Sequence, residues 1–416
     1  NHHLLGWPQS SKEVWGEVFG HPSGLTVVAV RDNTRLRIRP TAASTTLAIP
    51  GWDDESAGEG LDTRAMAAGE DRVLTLNAYQ VLSLETATVE PACPADKEVD
   101  PEHGSICIAS DNFSQDLGCT VYSRRFCQAS ADLSGSFIAS DKPVAVFANN
   151  KNAMVPFFMF GTEHLEEQVP PTATWGKQFA LGRPNARYRY YACSRGNQYT
   201  NHESTCPFGS GEAIYRILAA EDGTTVTIQT PTASVLFEEA PKDYNYHNQV
   251  DWLTAPDEWQ QIAGAPCADS GDGTCTATRV LNEGEILEFS DVFNHWVSAD
   301  KGILVARLLP AEEYVGIPYN PSPDAYEQLL QRKGGDPALS YVVPADQFRA
   351  DYHVYVVGSL TYGTLGLVAP ENSRLVIDEG RPEEAWLDTE DGSWEPVGGG
   401  YKARFYEIHN LSNRDR

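Results

Sequence analysis

The 416-residue sequence has no apolar run long enough to cross a lipid bilayer as a helix. No secretory signal peptide is recognisable at its start, Asn1. We therefore expect no membrane insertion, and we expect that the sequence starts at a processed end or is cut from a longer chain. Its length favours two to four domains.

Basic residues are scarce: 31 Lys and Arg stand against 58 Asp and Glu, which gives a net charge of -27. An acidic surface repels nucleic acids and anionic membranes, so we expect no nucleic-acid partner. The charge suits an extracellular protein or one that binds cations. Repulsion between acidic surfaces keeps separate molecules apart in solution, and this explains the negative charge without any specific cation.

The common catalytic signatures are also missing. The sequence has no Gly-x-Ser-x-Gly, no His-Glu-x-x-His, no P-loop and no dinucleotide fingerprint. Paired carboxylates are frequent, but an acidic chain supplies them by chance. The sequence predicts a protein that is not an enzyme, with a hydrolase built on scattered carboxylates as the weakest alternative.

The eight cysteines include no Cys-x-x-Cys, and no His stands at zinc-finger spacing. Their even number and polar surroundings favour disulfides that staple loops in an oxidising compartment over free thiols. Pairing between sequence neighbours is the simplest arrangement, and other connectivities stay open. The neighbouring pairs are Cys93 and Cys107, Cys119 and Cys127, Cys193 and Cys206, and Cys267 and Cys275.

Helix signals are few. The clearest covers Asp324 to Lys333, between Pro323 and Gly334, and a shorter helical turn is predicted after His164. Most other segments alternate apolar and polar residues between Gly, Pro, Asn or Asp, as half-buried strands do. The sequence predicts an all-β fold with few short helices.

Internal repeats organise the chain. Phe137 to Val146 and Trp296 to Ala306 both read as a strand, an Asp-Lys turn and a second strand. A second repeated pattern occurs three times: an apolar strand, an Asx or Gly turn and a strand of alternating apolar and polar residues. This pattern predicts β-hairpins. Its copies run from Val27 to Ile38, from Ile217 to Ile228 and from Leu367 to Ile377.

Shorter repeated segments place these hairpins within larger units. Trp15 to Phe19, Trp175 to Phe179 and Pro344 to Phe348 read as the first strand of each unit. The strand count then suits tandem β-sandwich-like units, the third without its final hairpin. The predicted boundaries are 1–165, 166–325 and 326–416.

A family resemblance is carried by His164 to Phe179, together with Asp132 to Ser136 and Ser140 to Val146. These segments resemble the IgGFc-binding protein N-terminal domain family, which occurs in animal mucus proteins and in secreted or surface proteins of bacteria. The resemblance covers residues 20 to 410 in pattern. It implies an extracellular or cell-surface protein, and the family takes its name from antibody binding by an animal member.

Candidate contact residues are the aromatics of the segment 238–278, which suit a sugar or protein partner. They are Tyr244, Tyr246, Trp252 and Trp259. Asp269 and Asp272 resemble part of a calcium loop without its distal Glu, so calcium is the one cofactor considered and a polar turn is the simpler interpretation. The cluster of Glu163, His164, Glu166 and Glu167 is interpreted as a helical connector between units.

Three functions follow. Repeated β units with stapled loops favour a non-enzymatic extracellular surface protein for adhesion, or for assembly with neighbouring subunits into a fibre or surface layer. The alternative is a monomeric module that binds glycans or glycoproteins, such as mucin or antibody-like partners, through the aromatics of 238–278. The hydrolase is the third.

Overall fold

A computed structural model describes sixteen stretches of the chain. Antiparallel strands dominate them, and the helical elements among them are two 3₁₀ turns, Thr172–Thr174 and Ala345–Gln347. The all-β fold is thus confirmed, while the helix predicted for Asp324 to Lys333 lies outside the described residues. Those residues are 1–8, 10–14, 17–49, 64–87, 107–108, 120–121, 125–128, 132–155, 162–183, 213–230, 274–291, 294–309, 338–354, 362–377, 385–388 and 393–409.

The first fourteen strands form sandwich 1. One main sheet has the order β1-β12-β5-β7 and the other β14-β13-β4-β8-β6, while β11-β2-β3 and β10-β9 form two small sheets. The strands are β1 His2–His3, β2 Ser10–Val14, β3 Glu17–His21, β4 Ser23–Ala29, β5 Thr34–Arg39, β6 Ser44–Ile49, β7 Arg72–Leu76, β8 Val81–Thr86, β9 Cys107–Ile108, β10 Thr120–Val121, β11 Arg125–Gln128, β12 Phe137–Ser140, β13 Val144–Met154 and β14 Thr162–Gln168.

Seven strands form sandwich 2. They are β15 Gly176–Leu181, β16 Ala213–Ala219, β17 Thr224–Thr230, β18 Cys275–Leu281, β19 Ile286–Asp291, β20 His295–Leu309 and β21 Ala338–Tyr341. The first half of β20 pairs with β15 and β17, and its second half pairs with β16 and β21. The orders β15-β20-β17-β18 and β21-β20-β16-β19 therefore repeat β1-β12-β5-β7 and β14-β13-β4-β8 of sandwich 1.

The remaining strands form a third group. They are β22 Tyr362–Pro370, β23 Arg374–Ile377, β24 Ala385–Asp388, β25 Glu395–Gly398 and β26 Tyr401–His409. Their sheets are β22-β26-β25 and β23-β24. The residue boundaries of the three predicted units stay predictions.

The predicted hairpins are wrong in their pairing. β4 and β5 flank a tight turn but lie in different sheets, and so do β12 and β13 around Asp141-Lys142. In sandwich 2, Asp300 and Lys301 lie inside the continuous strand β20, where its partner changes from β17 to β16. The repeated turns thus carry the chain between sheets, because an Asx or Gly turn suits such a crossing as well as a hairpin.

The predicted first strands are also corrected. β1 pairs with β12 as β15 pairs with β20, so His2–His3, and not Trp15 to Phe19, is the counterpart of Gly176–Leu181. Pro344 to Phe348 forms a 3₁₀ turn that matches the turn Thr172–Thr174, with a proline before each and an aromatic residue after each. It is therefore the counterpart of Pro171 to Trp175.

The hydrophobic core of sandwich 1 extends into sandwich 2, which also has a second core of its own. The strand β5 alternates fully buried and exposed residues, so Leu36 and Ile38 point into the core of sandwich 1 and Arg37 points out of it. The same cluster contains Ile214 and Leu308 of sandwich 2. Each such side chain stabilises the fold by about 1.5–3 kcal/mol when it is fully buried.

Candidate binding surface

Polar side chains of the repeated turns hold one end of each sandwich, the turn end. In sandwich 1, Asp141 Oδ1 accepts the backbone N–H of Arg35 at 2.8 Å, and Lys142 Nζ donates to the carbonyls of Asp32 and Asn33 at 2.6 and 2.9 Å. Asp32 Oδ1 also accepts the N–H of Ala78 at 3.0 Å.

Sandwich 2 repeats this arrangement. Asp300 Oδ1 accepts the N–H of Thr225 at 2.8 Å, Lys301 Nζ donates to the carbonyl of Asp222, and Asp222 Oδ1 accepts the N–H of Glu283 at 2.9 Å. The Asp and Lys side chains of both copies bind the backbone of their own turns. These repeated residues therefore serve the fold and are not our candidates for a binding site.

Arg216 occupies the junction between the sandwiches. Its guanidinium is buried and donates to Asp132 Oδ2 at 2.5 Å and to Ser134 Oγ at 2.9 Å, while its Nε lies 2.8 Å from Glu288 Oε2. The ring of Trp7 lies 5.9 Å away. Burial alone would lower the pKa of Arg216, but the two carboxylates outweigh it and raise the pKa.

Burial raises the pKa of Glu288 although Arg216 opposes that shift. Asp132 and Glu288 both contact this one arginine. Glu288 faces Arg216 from the next strand of sandwich 2, so the pair of Arg216 and Asp132 is the one that links the two sandwiches. This arrangement gives no support to a hydrolytic pair.

The opposite end of sandwich 2, the loop end, is where the connections 184–212, 231–273, 292–293 and 310–337 begin and finish. β17 and β18 meet there at Thr230 and Cys275, and β20 starts there at His295. The end of β15, the start of β16 and the meeting of β20 with β21 lie at the same end. These four connections thus leave from one end of the sandwich.

Buried aromatic residues support the loop end. His295 lies edge-on to Tyr215 and Phe289, with ring centroids 5.9 and 5.3 Å away. Its Nδ1 is 2.8 Å from Thr230 Oγ1. Burial lowers the pKa of His295 to about 3, so the ring is neutral at physiological pH.

The third group packs beside this end. Arg183 donates to Glu395 Oε1 and Oε2 at 2.5 and 2.6 Å, and Asn294 Nδ2 donates to the carbonyl of Pro396 at 3.1 Å. Trp296 stacks on Tyr401 with centroids 5.5 Å apart. These contacts fix the third group to sandwich 2.

The predicted contact aromatics Tyr244, Tyr246, Trp252 and Trp259 lie outside the described residues, and so do Asp269 and Asp272. Both sets belong to the connection 231–273, whose two flanking strands meet at the loop end. Within the described part of the chain, no group of three or more His, Cys, Asp or Glu is placed to hold a metal ion. The calcium site stays a prediction.

The predicted disulfides also stay predictions. Cys107, Cys127 and Cys275 lie in β9, β11 and β18, and the other five cysteines lie outside the described residues.

The predicted helical connector around His164 is wrong. Glu163, His164, Glu166 and Glu167 lie on strand β14, which pairs with β13. His164 and Glu166 are exposed, with Nε2 and Oε2 3.3 Å apart, because alternate residues of an edge strand face the same side. Burial raises the pKa of Glu167.

The aromatic residues at the junctions, Trp7 and Trp296, were not predicted as contact residues from the sequence, because their partners are distant in sequence.

The described residues include no helix long and apolar enough to cross a membrane. No curated protein and no solved structure matches the sequence significantly. The family described as IgGFc binding protein matches residues 2–250 and 269–415. Because this match covers nearly the whole sequence, the chain belongs to the IgGFc-binding protein family.

Proposed function

We propose that this chain is a non-enzymatic extracellular module that binds a glycoprotein partner through the loop end of sandwich 2. The observation that carries the proposal is the gathering of four connections at one end of a rigid scaffold. One of them contains Tyr244, Tyr246, Trp252 and Trp259. Loops on a rigid β-sandwich are a common way to present binding residues.

The residue types favour a protein or sugar partner. Tyr and Trp bring a large apolar area and a polar group with few rotatable bonds, which is why binding surfaces are rich in them. The family name describes binding to the Fc part of IgG, itself a glycoprotein, and members of the family are typically extracellular. The net charge of -27 disfavours a nucleic-acid partner.

Binding to three immobilised probes tests the proposal: a secreted mucin, the same mucin after deglycosylation, and an IgG Fc fragment. We expect the wild type to bind at least one of them, and we expect Trp252→Ala and Trp259→Ala to weaken that binding about tenfold or more.

Tyr79→Ala is the matched control, since Tyr79 is 78% exposed at the turn end of sandwich 1. It should bind as the wild type does. Wild-type protein that binds none of the probes, or tryptophan variants that bind equally well, would contradict the proposal.

Adhesion or assembly into a surface layer is the second candidate, and the third group favours it. β22 pairs with β26, and no further strand of the described residues pairs with β22. An open edge of this kind recruits strands from other chains. Size-exclusion chromatography and negative-stain microscopy of native material test this candidate, because strictly monomeric protein would contradict it.

A further inference from the structure

One short stretch of this acidic chain is basic. Residues 31–39 hold four arginines against one aspartate, while the whole chain carries a net charge of -27. Three of the four, Arg35, Arg37 and Arg39, occupy alternate positions of β5 and are exposed. Alternate residues of a strand face the same side about 7 Å apart, so these side chains leave the outer face of the sheet as a row about 14 Å long, the arginine row.

The duplicated scaffold shows that the fold does not require the arginine row. Asp141 accepts the backbone N–H of Arg35 as Asp300 accepts that of Thr225, so β5 aligns with β17. The residues of β17 at the three aligned positions are uncharged and partly buried. They are Thr225, Thr227 and Gln229. Because a strand without charged residues fills the same place in sandwich 2, packing of the sandwich does not explain three exposed arginines in sandwich 1.

Two carboxylates contact the arginine row without covering it. Asp71 accepts hydrogen bonds from Nε and Nη2 of Arg37, and Glu283 Oε1 lies 3.8 Å from Nη2 of Arg39. The side chains of these two arginines stay 52% and 45% exposed. Within the described part of the chain, the guanidinium of Arg35 makes no hydrogen bond or ion pair. Exposed ion pairs are weak, and a guanidinium has more N–H donors than one carboxylate uses, so the row keeps donors for an added anion.

Apolar side chains flank the arginine row on both sides. On β12, Phe137 is the cross-strand neighbour of Arg39, and its ring centroid lies 5.4 Å from Cζ of Arg39 and 5.9 Å from Cζ of Arg37. On β7, Val73 stands opposite Arg37 and is 54% exposed. The aromatic ring holds two guanidinium groups by cation–π contact, which lowers the cost of ordering them when a ligand binds.

We propose that the arginine row binds an extended glycan that carries sulfate groups along its chain. A planar guanidinium binds a tetrahedral oxyanion through two parallel hydrogen bonds, and three of them in line suit anions spaced along an extended chain. The C–H faces of sugar rings would pack on Phe137 and Val73 and lose contact with water. This site lies on sandwich 1, so the proposal is independent of glycoprotein binding at the loop end of sandwich 2.

Other polyanions fit this face less well. A peptide that adds to a sheet is held by backbone hydrogen bonds at an edge, whereas the backbone of β5 is already paired with β12 and β7. Duplex nucleic acid and anionic membranes present broad charged surfaces that would also approach the acidic remainder of the chain. A single glycan chain is narrow enough to stay over the row, and screening over about 8–10 Å weakens its repulsion by more distant carboxylates.

Fluorescence anisotropy with the full chain and labelled dextran sulfate tests the proposal, and unsulfated dextran of the same length is the reference probe. We expect saturable binding of dextran sulfate alone, and we expect that binding to weaken as salt rises. The triple variant with Arg35→Thr, Arg37→Thr and Arg39→Gln carries the residues of β17 at the same positions. It should bind at least about tenfold more weakly than the wild type.

A control triple variant makes the same change of net charge elsewhere. It replaces the exposed residues Lys151, Arg349 and Arg374 by glutamine and should bind dextran sulfate as the wild type does. Arg35→Thr alone should weaken binding about threefold. Because this single change removes no ion pair within the described part of the chain, it tests the row even where the triple variant fails to fold.

Absence of dextran sulfate binding, equal binding by the wild type and the arginine variants, or an equal loss in the control triple variant would overturn the proposal. So would tighter binding of polyglutamate or of a single-stranded oligonucleotide at an equal concentration of charged groups, since either would assign the row to another class of partner. Trp252→Ala should bind dextran sulfate as the wild type does, which separates failure here from failure of the glycoprotein proposal.

Discussion

Arg216 and Asp132 form an ion pair across the junction of sandwiches 1 and 2, with Nη2 and Oδ2 2.5 Å apart. Arg216 is 4% exposed, and Glu288 contacts the same guanidinium. A buried ion pair is weak evidence for a large net stabilisation, because both groups lose hydration. Removing one partner is costly, since the other charge then stays buried alone.

We therefore expect Arg216→Met to lower the free energy of unfolding by about 3 kcal/mol, because it leaves two partly buried carboxylates without their cation. Urea unfolding followed by circular dichroism measures the change. The triple variant with Asp132→Asn and Glu288→Gln should recover much of the loss. The prediction is wrong if the free energy of unfolding of Arg216→Met alone lies within about 1 kcal/mol of the wild-type value.

Stability should fall in mild acid because His295 is buried in its neutral form. Its pKa is lowered from 6.5 to about 3, so the unfolded chain binds this proton and the folded chain does not. The stabilisation that neutral His295 gives the folded state is complete above pH 6.5. It decreases by about 1.4 kcal/mol per pH unit as pH falls from 6.5 toward 3.

Unfolding free energies of the wild type and His295→Gln between pH 7.5 and 5 measure this effect. The variant should show a shallower loss toward pH 5, and His164→Gln, which changes an exposed histidine, should follow the wild type. Equal pH slopes for His295→Gln and the wild type would refute the assignment.

The sequence predicts strands better than it predicts their partners. The alternation of Arg35 and Arg37 with Leu36 and Ile38 is a local pattern, and the structure confirms that one set is exposed and the other buried. The pairing of β12 with β5 and of β13 with β4 joins segments about a hundred residues apart. Local turn residues carry no information about such partners, so the predicted hairpins were wrong.

The contacts at the junction of sandwiches 1 and 2 could not be predicted from the sequence either. Arg216 stands alone as a charged residue in the apolar strand Ala213–Ala219, and that signal is visible in the sequence. Its partner Asp132 lies 84 positions earlier, in a segment that carries part of the family resemblance but no local sign of this contact. Only the packing of two sandwiches brings these side chains together.

The two Asp side chains of the repeated turns should contribute similarly. Each accepts one backbone N–H at 2.8 Å, Asp141 from Arg35 and Asp300 from Thr225. Asp141→Ala and Asp300→Ala should each lower stability by about 1 kcal/mol, a typical net value for one hydrogen bond. The double variant should show the sum, because the two turns share no partner in these hydrogen bonds. Thermal unfolding of all three proteins checks this, and a loss confined to one turn would show that the copies are not equivalent.

Tyr79 and Gly284 occupy the same turn position in the two sandwiches and should respond oppositely to substitution. Their φ angles are 64° and 79°, a region that costs a side chain about 1–2 kcal/mol. Tyr79→Gly should raise stability by up to about 1 kcal/mol, the relief of strain being partly offset by the greater entropy that glycine loses on folding. Gly284→Ala should lower stability, because its Cβ would also lie 3.2 Å from the carbonyl oxygen of Gly135.

Gly135→Ala extends this comparison to the other side of the same contact. Its Cβ would lie 2.5 Å from the carbonyl oxygen of Gly284, at a φ of 86°. Backbone atoms form both sides of this contact, so the clash is relieved only if sandwiches 1 and 2 move apart. We expect Gly135→Ala to destabilise the chain more than Gly284→Ala, as measured by the urea midpoint at constant slope. If both alanine variants unfold at the wild-type midpoint, the two glycines do not form a tight contact between the sandwiches.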